Sequence, residues 1–272
     1  MEQKLRVWKT TNETYTLILR NQKAFWRISA LPMAISYAAF VIAHIVVDEG
    51  LGGEVWYLLV WLLLTVLTVP FIVAWHRLVL IGPDSVVKRS GLRFGRREGK
   101  FLLIFLVVSV SWTIIAVILE MMRGVNAALA ANAAGSRSGG DYVAIVPLIV
   151  MVIVFGQIFR LALVFPSIAI DEGASVRRAL KLTKGNSFRF TAVLAFTAFL
   201  VGFVFKILIH PTISQAPANL VTFLEGAITV YRNFLVPCVL ASALSLSYKF
   251  FTSARNNATA GSTEELPQEY KS

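Results

Sequence analysis

Apolar residues fall in six long runs that polar segments separate. The runs cover residues 29–48, 55–80, 101–122, 142–168, 188–210 and 219–250. Each run offers the roughly 20 mainly apolar residues that a helix needs to cross about 30 Å of hydrocarbon. The polar, glycine-rich segment 48–54 divides the first apolar region into a tight hairpin. The pattern predicts an all-α polytopic membrane protein with six transmembrane helices.

The flanking segments and the composition fit this interpretation. Residues 1–28 are polar and basic, so we expect the first run to be a retained span of a membrane domain over 29–251 and not a cleaved signal. Residues 252–272 have almost no apolar side chains and are predicted to be a disordered tail. Apolar residues make up 57% of the chain and charged residues 15%, against about 25% charged in soluble domains. The single cysteine, Cys238, lies in an apolar run and is expected to pack as a small apolar side chain.

Lysine and arginine are distributed unequally between the two sides of the predicted bundle. The segments before span one and after spans two, four and six hold 6, 7, 5 and 3 of the 26, if residues at span ends are counted with their loops. The three other segments hold only Arg123 and Arg137. Cytoplasmic loops carry the excess of positive charge in membrane proteins. We therefore expect both termini in the cytoplasm, and the net charge of +11 does not indicate nucleic acid as a partner.

A short pattern recurs at the ends of the even-numbered spans. The sequence R-L-x-L-x-x-P occurs over residues 77–83 and again over 160–166, and span six has Arg232 and Pro237 one residue closer together. Pairs of spans that begin and end on the same side would form parallel repeats about an axis along the membrane normal. The pattern is compatible with three parallel hairpin repeats, although such matches also arise by chance among apolar helices.

Two segments that lead into spans have the periodicity of basic amphipathic helices. Residues 13–28 place one set of cations on a single arc, Arg20, Lys23 and Arg27, and an apolar set on another, Tyr15, Ile18, Leu19, Phe25 and Trp26. Residues 174–184 likewise separate four cations, Arg177, Arg178, Lys181 and Lys184, from Val176, Ala179, Leu180 and Thr183. We expect Asp171 to cap the start of this second helix and Gly185 its end.

Helices of this kind lie at the membrane surface, where each cation near anionic lipid contributes about 1 kcal/mol. The seven cations are therefore candidates for binding anionic lipid headgroups. The competing interpretation is that they only determine topology, which any polytopic protein requires. A membrane-protein partner at the same face is a further possibility.

The stretch over residues 157–188, QIFRLALVFPSIAIDEGASVRRALKLTKGNSF, resembles a bacterial inner-membrane family. The family comprises the membrane domain attached to some glycerophosphodiester phosphodiesterases and related stand-alone proteins. The residues that carry the resemblance are Arg160, Pro166, Asp171, Glu172, Leu182, Thr183, Gly185 and Asn186. The segment VAWHRLVLIG over residues 73–82 is also similar to stand-alone members. The resemblance implies a bacterial cytoplasmic membrane, but it implies no phosphodiesterase activity because the soluble catalytic domain of the fused relatives is not in this sequence.

Chemistry-bearing residues do not converge in the sequence. The three histidines, His44, His76 and His210, belong to different predicted spans and show no metal-binding spacing, although Asp48 and Glu49 would lie near two of them. We therefore predict a protein that is not an enzyme and has neither a cofactor nor a metal site.

Three ionisable residues lie well inside predicted spans, where a charge costs at least about 2.5 kcal/mol unless it is paired or hydrated. They are Arg160, Glu225 and Arg232, with Gln157 as a polar neighbour of the first. Glu225 and Arg232 are seven residues apart, on one helix face but about 10 Å apart along the axis, so their partners must come from other spans. If the three residues share a cavity, the protein is a small transporter or channel for an anionic solute or lipid; otherwise they bond helices together.

Overall fold

The computed structural model describes residues 4–48, 54–87, 94–132, 156–214 and 217–264, and these ranges are helical with short connections. The helices are α1 (Val7–Arg20), α2 (Gln22–Asp48), α3 (Glu54–Leu80), α4 (Asp84–Val87), α5 (Arg96–Asn132), α6 (Val164–Ala169), α7 (Val176–Leu182), α8 (Ser187–Val204), α9 (His210–Ser214) and α10 (Ala218–Glu264). A π-helical segment, Phe205–Ile209, joins α8 to α9. The predicted all-α class is confirmed for this part of the chain.

Four helical stretches within the described ranges are long and apolar enough to cross a membrane. They are Gln22–Val47, Leu58–Leu80, Ser187–Ile213 and Leu220–Arg255. They coincide with predicted spans one, two, five and six, so four of the six predicted positions are supported. Helix α5 contains the predicted third span, 101–122. Most of the predicted fourth span, 142–168, lies outside the described residues.

The last helix, α10, is the centre of the bundle and packs against α1, α2, α3 and α8. Its contact with α3 is aromatic at Phe71, Trp75 and Phe234, whose side chains are fully buried. One turn further along, the Trp75 Nε1–H donates to Ser242 Oγ over 2.7 Å, and His76 Nδ1 lies 2.7 Å from Ser245 Oγ. Packing and interhelical hydrogen bonds are what associate helices in lipid, where apolar side chains gain little by leaving the solvent.

Helix α2 approaches α10 closely at a glycine. A Cβ atom built on Gly226 would lie 2.5 Å from Cε1 of Phe40, so the Phe40 ring would have to move to admit any side chain here. Small residues at such crossings allow two backbones to come together in a membrane bundle. Near this crossing the Tyr37 hydroxyl donates to the Phe223 carbonyl over 3.3 Å.

The basic helix predicted over residues 13–28 requires correction. The structure ends α1 at Arg20 and begins α2 at Gln22, so the cations Arg20, Lys23 and Arg27 belong to two helices. Leu5 contacts Asn186, and the Tyr15 hydroxyl donates to the Thr197 carbonyl over 2.7 Å. Because the two contacts are about ten residues apart along each of the two segments, α1 runs beside α8 in the same direction.

The inner face of α1 is covered by protein. Thr10, Thr11, Thr14 and Ile18 are buried where the helix packs on α8 and α10. Burial raises the pKa of Tyr15 to about 12, so its hydroxyl stays protonated as a donor. Periodicity predicted a face that avoids water, but it did not distinguish a protein neighbour from acyl chains.

Two predicted helix ends also differ from the structure. Helix α7 is capped by Ser175, whose Oγ accepts the Arg178 N–H over 3.3 Å, and not by Asp171. At the other end Thr183, not Gly185, is the C-cap, and Gly185 lies two residues further on with a φ of +78°. Helix α10 continues to Glu264 into the segment predicted to be disordered, as the extension of a helix that is already nucleated. Residues 265–272 lie outside the described ranges.

Candidate functional site

Within the segment 157–188 the short helices α6 and α7 are joined by a loop that carries two acidic residues. Asp171 has a φ of +64°, a left-handed conformation that Asp tolerates better than most residues. Its carboxylate is bound in a bidentate manner by Arg97 from the start of α5, with Arg97 Nε donating over 2.8 Å. Arg77, at the end of α3, lies 3.9 Å from the same carboxylate and donates to the Ala169 carbonyl over 3.0 Å. Asp171 therefore connects α3, α5 and the end of α6.

Glu172 connects the same loop to α7 and α10. Its Oε2 accepts a hydrogen bond of 2.6 Å from the Tyr248 hydroxyl and forms an ion pair of 2.6 Å with Arg178. The Arg178 guanidinium also lies 6.0 Å from the centre of the Tyr248 ring. The acidic pair of the loop thus binds helices on two sides.

Arg160 binds the end of α7. Its Nε donates to Thr183 Oγ1 over 2.9 Å, and its Nη2 donates to the Leu180 carbonyl over 3.0 Å. Its Nη1 donates to Gln157 Oε1 over 3.0 Å, which orients the guanidinium. Cationic donors at a helix C-terminus satisfy carbonyls that lack partners within the helix. The structural interpretation of Arg160 is therefore the one that the contacts favour.

Asn186 attaches the N-terminal segment to the same region. Its Oδ1 accepts the Leu5 N–H over 2.9 Å, and Arg189 Nη1 donates to the Leu5 carbonyl over 3.3 Å. Leu5 itself is buried. We call the contacts of Arg160, Asp171, Glu172 and Asn186 the signature network, because these four residues also carry the sequence resemblance.

The predicted headgroup cations differ in their availability. Six are exposed, Arg20, Lys23, Arg27, Arg177, Lys181 and Lys184, and none of these six forms an ion pair with a described residue. Arg178 is the exception because it is half-buried against Glu172. The predicted apolar arc of this helix is mostly buried by protein, as at Ala179 and Thr183, whereas Val176 is exposed.

Two of the predicted intramembrane residues share a cavity. Glu225 and Arg232 line a space of about 500 Å³ between α10 and the stretch from α8 to α9, together with Lys206 and Thr229. Arg160 is not among the described residues that line it. Glu225 and Arg232 thus line the same cavity from α10, and Lys206, from the π-helical segment after α8, is a third charge in its lining.

The sequence analysis did not identify Arg97, Tyr248 and Lys206 as site residues. Arg97 and Tyr248 hold the acidic loop through contacts across 74 and 76 residues, for which periodicity gives no signal. Lys206 had a signal, since apart from Arg189 at the very start it is the one cation within predicted span five, but it lies near the end of that span, where long side chains reach water.

Within the described ranges no group of three or more His, Cys, Asp or Glu side chains is placed to hold a metal ion. Glu49, which the sequence places beside one possible outer cluster, lies outside those ranges. Comparison of the chain with protein-family models, with curated proteins and with solved structures finds no match.

Proposed function

We propose that this chain is a six-span integral protein of a bacterial cytoplasmic membrane, with both termini in the cytoplasm, which binds anionic lipids at its cytoplasmic face and catalyses no reaction. The observation that carries the proposal is the group of six exposed cations without ion pairs, Arg20, Lys23, Arg27, Arg177, Lys181 and Lys184. A cation that no protein carboxylate compensates is available to lipid phosphate.

Exposed aromatic side chains accompany these cations. Trp26 is 50% exposed directly before Arg27, and Phe188 is 84% exposed four residues after Lys184. Tryptophan prefers the headgroup region of a bilayer, where its ring is apolar and its N–H is hydrated. Aromatic anchors next to cations are typical of a protein surface that contacts lipid headgroups.

The bacterial membrane and the orientation rest on the sequence. The charge asymmetry supports cytoplasmic termini, and the resemblance of residues 157–188 supports membership of the bacterial inner-membrane family. An acidic membrane-protein partner would also fit the cationic surface, so the test below compares lipid with protein as the ligand.

Changing Arg177, Lys181 and Lys184 together to glutamine is expected to reduce retention of phosphatidylglycerol by about tenfold to a hundredfold, since each cation contributes up to about 1 kcal/mol. Native mass spectrometry of the protein released from nanodiscs with equal phosphatidylglycerol and phosphatidylcholine measures the retained lipid. The matched control is R178Q on the same helix. Because Arg178 is engaged by Glu172, this variant should lower stability and leave lipid selectivity unchanged. Equal phosphatidylglycerol retention by the triple variant and the unmodified protein would refute lipid binding by α7, and loss of a co-purifying protein instead would favour the partner.

The cavity of Lys206, Glu225 and Arg232 supports a second candidate function, transport of an anionic solute or lipid. Three charges at one place inside spans are costly unless water or a ligand reaches them. The candidate predicts that Thr229→Cys, in a chain whose own cysteine is changed by Cys238→Ala, reacts with a membrane-impermeant thiosulfonate in proteoliposomes. The control is Cys at Phe203, which is exposed on α8 and outside the cavity lining, and should stay unreactive in lipid. If the cysteines at positions 229 and 203 are equally unreactive, no hydrated pathway reaches the cavity.

A further inference from the structure

A second cavity lies where the first turns of α1 meet residues 246–250 of α10. Its volume is about 540 Å³, and it is lined by Lys4, Arg6, Lys9, Thr10, Glu13, Leu246, Lys249 and Phe250. Pockets that take small ligands have volumes of about 300–1,000 Å³. None of the cations in this lining belongs to the two amphipathic segments described above.

The charges in this cavity are not balanced by the described protein. Lys9 Nζ lies 3.8 Å from a carboxylate oxygen of Glu13, an exposed pair one helical turn apart. Lys4, Arg6 and Lys249 form no ion pair with any residue that the structure describes. Three like charges that converge on one space repel each other unless an anion joins them.

The backbone holds these cations in place. Leu5, between Lys4 and Arg6, is buried and bonded through its N–H to Asn186 and through its carbonyl to Arg189. Lys249 belongs to α10, where Tyr248 is bound by Glu172. The cations are therefore attached to the signature network at two fixed points and not to a free terminus.

The remaining lining indicates the chemical class of the ligand. Arg6 is the N-cap residue of α1 and forms no side-chain capping bond, so the positive end of the helix dipole adds to the charges of Lys4, Arg6 and Lys249. Leu246 and Phe250 supply an apolar wall one helical turn apart on α10. A group of cations beside a helix start and an apolar wall suits a phosphate that is esterified to an apolar or partly apolar body.

We propose that this cavity is a binding site for a phosphate group, held by Lys4, Arg6 and Lys249. The phosphate comes either from a phospholipid headgroup or from a soluble phosphate compound. With a lipid source the inference deepens the proposed function and rests on it, whereas with a soluble source it stands alone. Binding would then connect the N-terminal segment to the central helix.

The test uses the full-length protein in detergent, titrated separately with inorganic phosphate and with short-chain phosphatidylglycerol, with phosphatidylcholine as the lipid control. Thermal unfolding and native mass spectrometry report binding, since a ligand that binds the folded state raises the unfolding temperature. The triple change K4Q, R6Q and K249Q is expected to weaken binding at least about tenfold. Its unfolding temperature without ligand should be unchanged or higher because like-charge repulsion is relieved.

Glu13→Gln provides the opposite test, because removing the one carboxylate of the lining should tighten binding severalfold. If the unmodified protein binds inorganic phosphate and the triple change abolishes this binding, a soluble source is supported. If it binds only phosphatidylglycerol and the triple change abolishes that binding, a lipid source is supported. Undiminished binding in the triple variant, or no binding by the unmodified protein, overturns the proposal. The R177Q, K181Q and K184Q protein separates the two hypotheses, because it should bind at this cavity as the unmodified protein does, whether or not it loses phosphatidylglycerol from the surface of α7.

Discussion

Asp171→Asn is expected to lower the free energy of unfolding by about 2–3 kcal/mol. The two arginines that face this carboxylate, Arg77 and Arg97, have side chains only 18% exposed, so their charges lose a compensating partner in a place with little water. The Asp171 side chain is 61% exposed, and solvent screening keeps the expected loss below the 3–5 kcal/mol of a fully buried pair. Asparagine retains the shape and tolerates the left-handed backbone, so the change removes the charge alone.

The measurement is unfolding in mixed micelles of a mild detergent and SDS. The matched control is Glu13→Gln, which removes one carboxylate from the exposed pair with Lys9 and should change stability by less than about 0.5 kcal/mol. If Asp171→Asn is as mild as this control, the signature network does not hold the helices together. The residues that carry the family resemblance would then serve a purpose other than stabilising the fold.

Trp75→Ala is expected to cost about 3–5 kcal/mol, the largest loss that we predict for one side chain. Trp75 is fully buried, stacks on Phe71 with ring centres 6.2 Å apart and meets Phe25 edge to face at 6.1 Å. Its N–H donates to Ser242, so alanine leaves both a cavity and an unpaired hydroxyl acceptor. Packing is the main source of helix association in lipid, and an internal void cannot be repaired by acyl chains.

Trp61→Ala is the matched control for this prediction. Trp61 lies on the same helix, α3, but its side chain is 49% exposed, so lipid can fill the space that alanine leaves. We expect less than about 1 kcal/mol for this change, and about 1–2 kcal/mol for Trp75→Phe, which mainly removes the hydrogen bond to Ser242. Similar losses at Trp61 and Trp75 would mean that α3 does not pack on α10 as described.

Hydropathy predicted the parts of the fold that depend only on the solvent around a helix. The ranges of spans one, two, five and six agree with the structure within a few residues, except that Gln22–Val47 begins before residue 29 and Leu220–Arg255 extends past residue 250. The seven-residue spacing of Glu225 and Arg232 also predicted a shared face, because helix geometry fixes it. The hairpin repeats and the spans over 101–122 and 142–168 remain predictions.

Tertiary contacts could not be predicted from one sequence. The apolar face of α1 was visible in the periodicity, but whether Ile18 meets protein or lipid depends on α8 and α10. Asp171 was assigned to a helix cap because it precedes a helix by a short distance, whereas its partners, Arg77 and Arg97, lie 94 and 74 residues away in the sequence. The hydrogen bonds of Arg160 to the end of α7 could not be predicted either, because they depend on how the chain turns at residues 170–175.

The most direct test of the central claim is the side of the membrane on which Ser138 lies. Cysteine is placed there in a Cys238→Ala chain and labelled in intact cells with a membrane-impermeant maleimide, with Ser175→Cys as the expected internal control and Pro217→Cys as the external one. A six-span chain with cytoplasmic termini requires Ser138 to be outside, so it should react as readily as Pro217, while Ser175 reacts only after the cells are permeabilised. A four-span chain that crosses only through α2, α3, α8 and α10 would leave Ser138 inside, and labelling that needs permeabilisation would contradict the account.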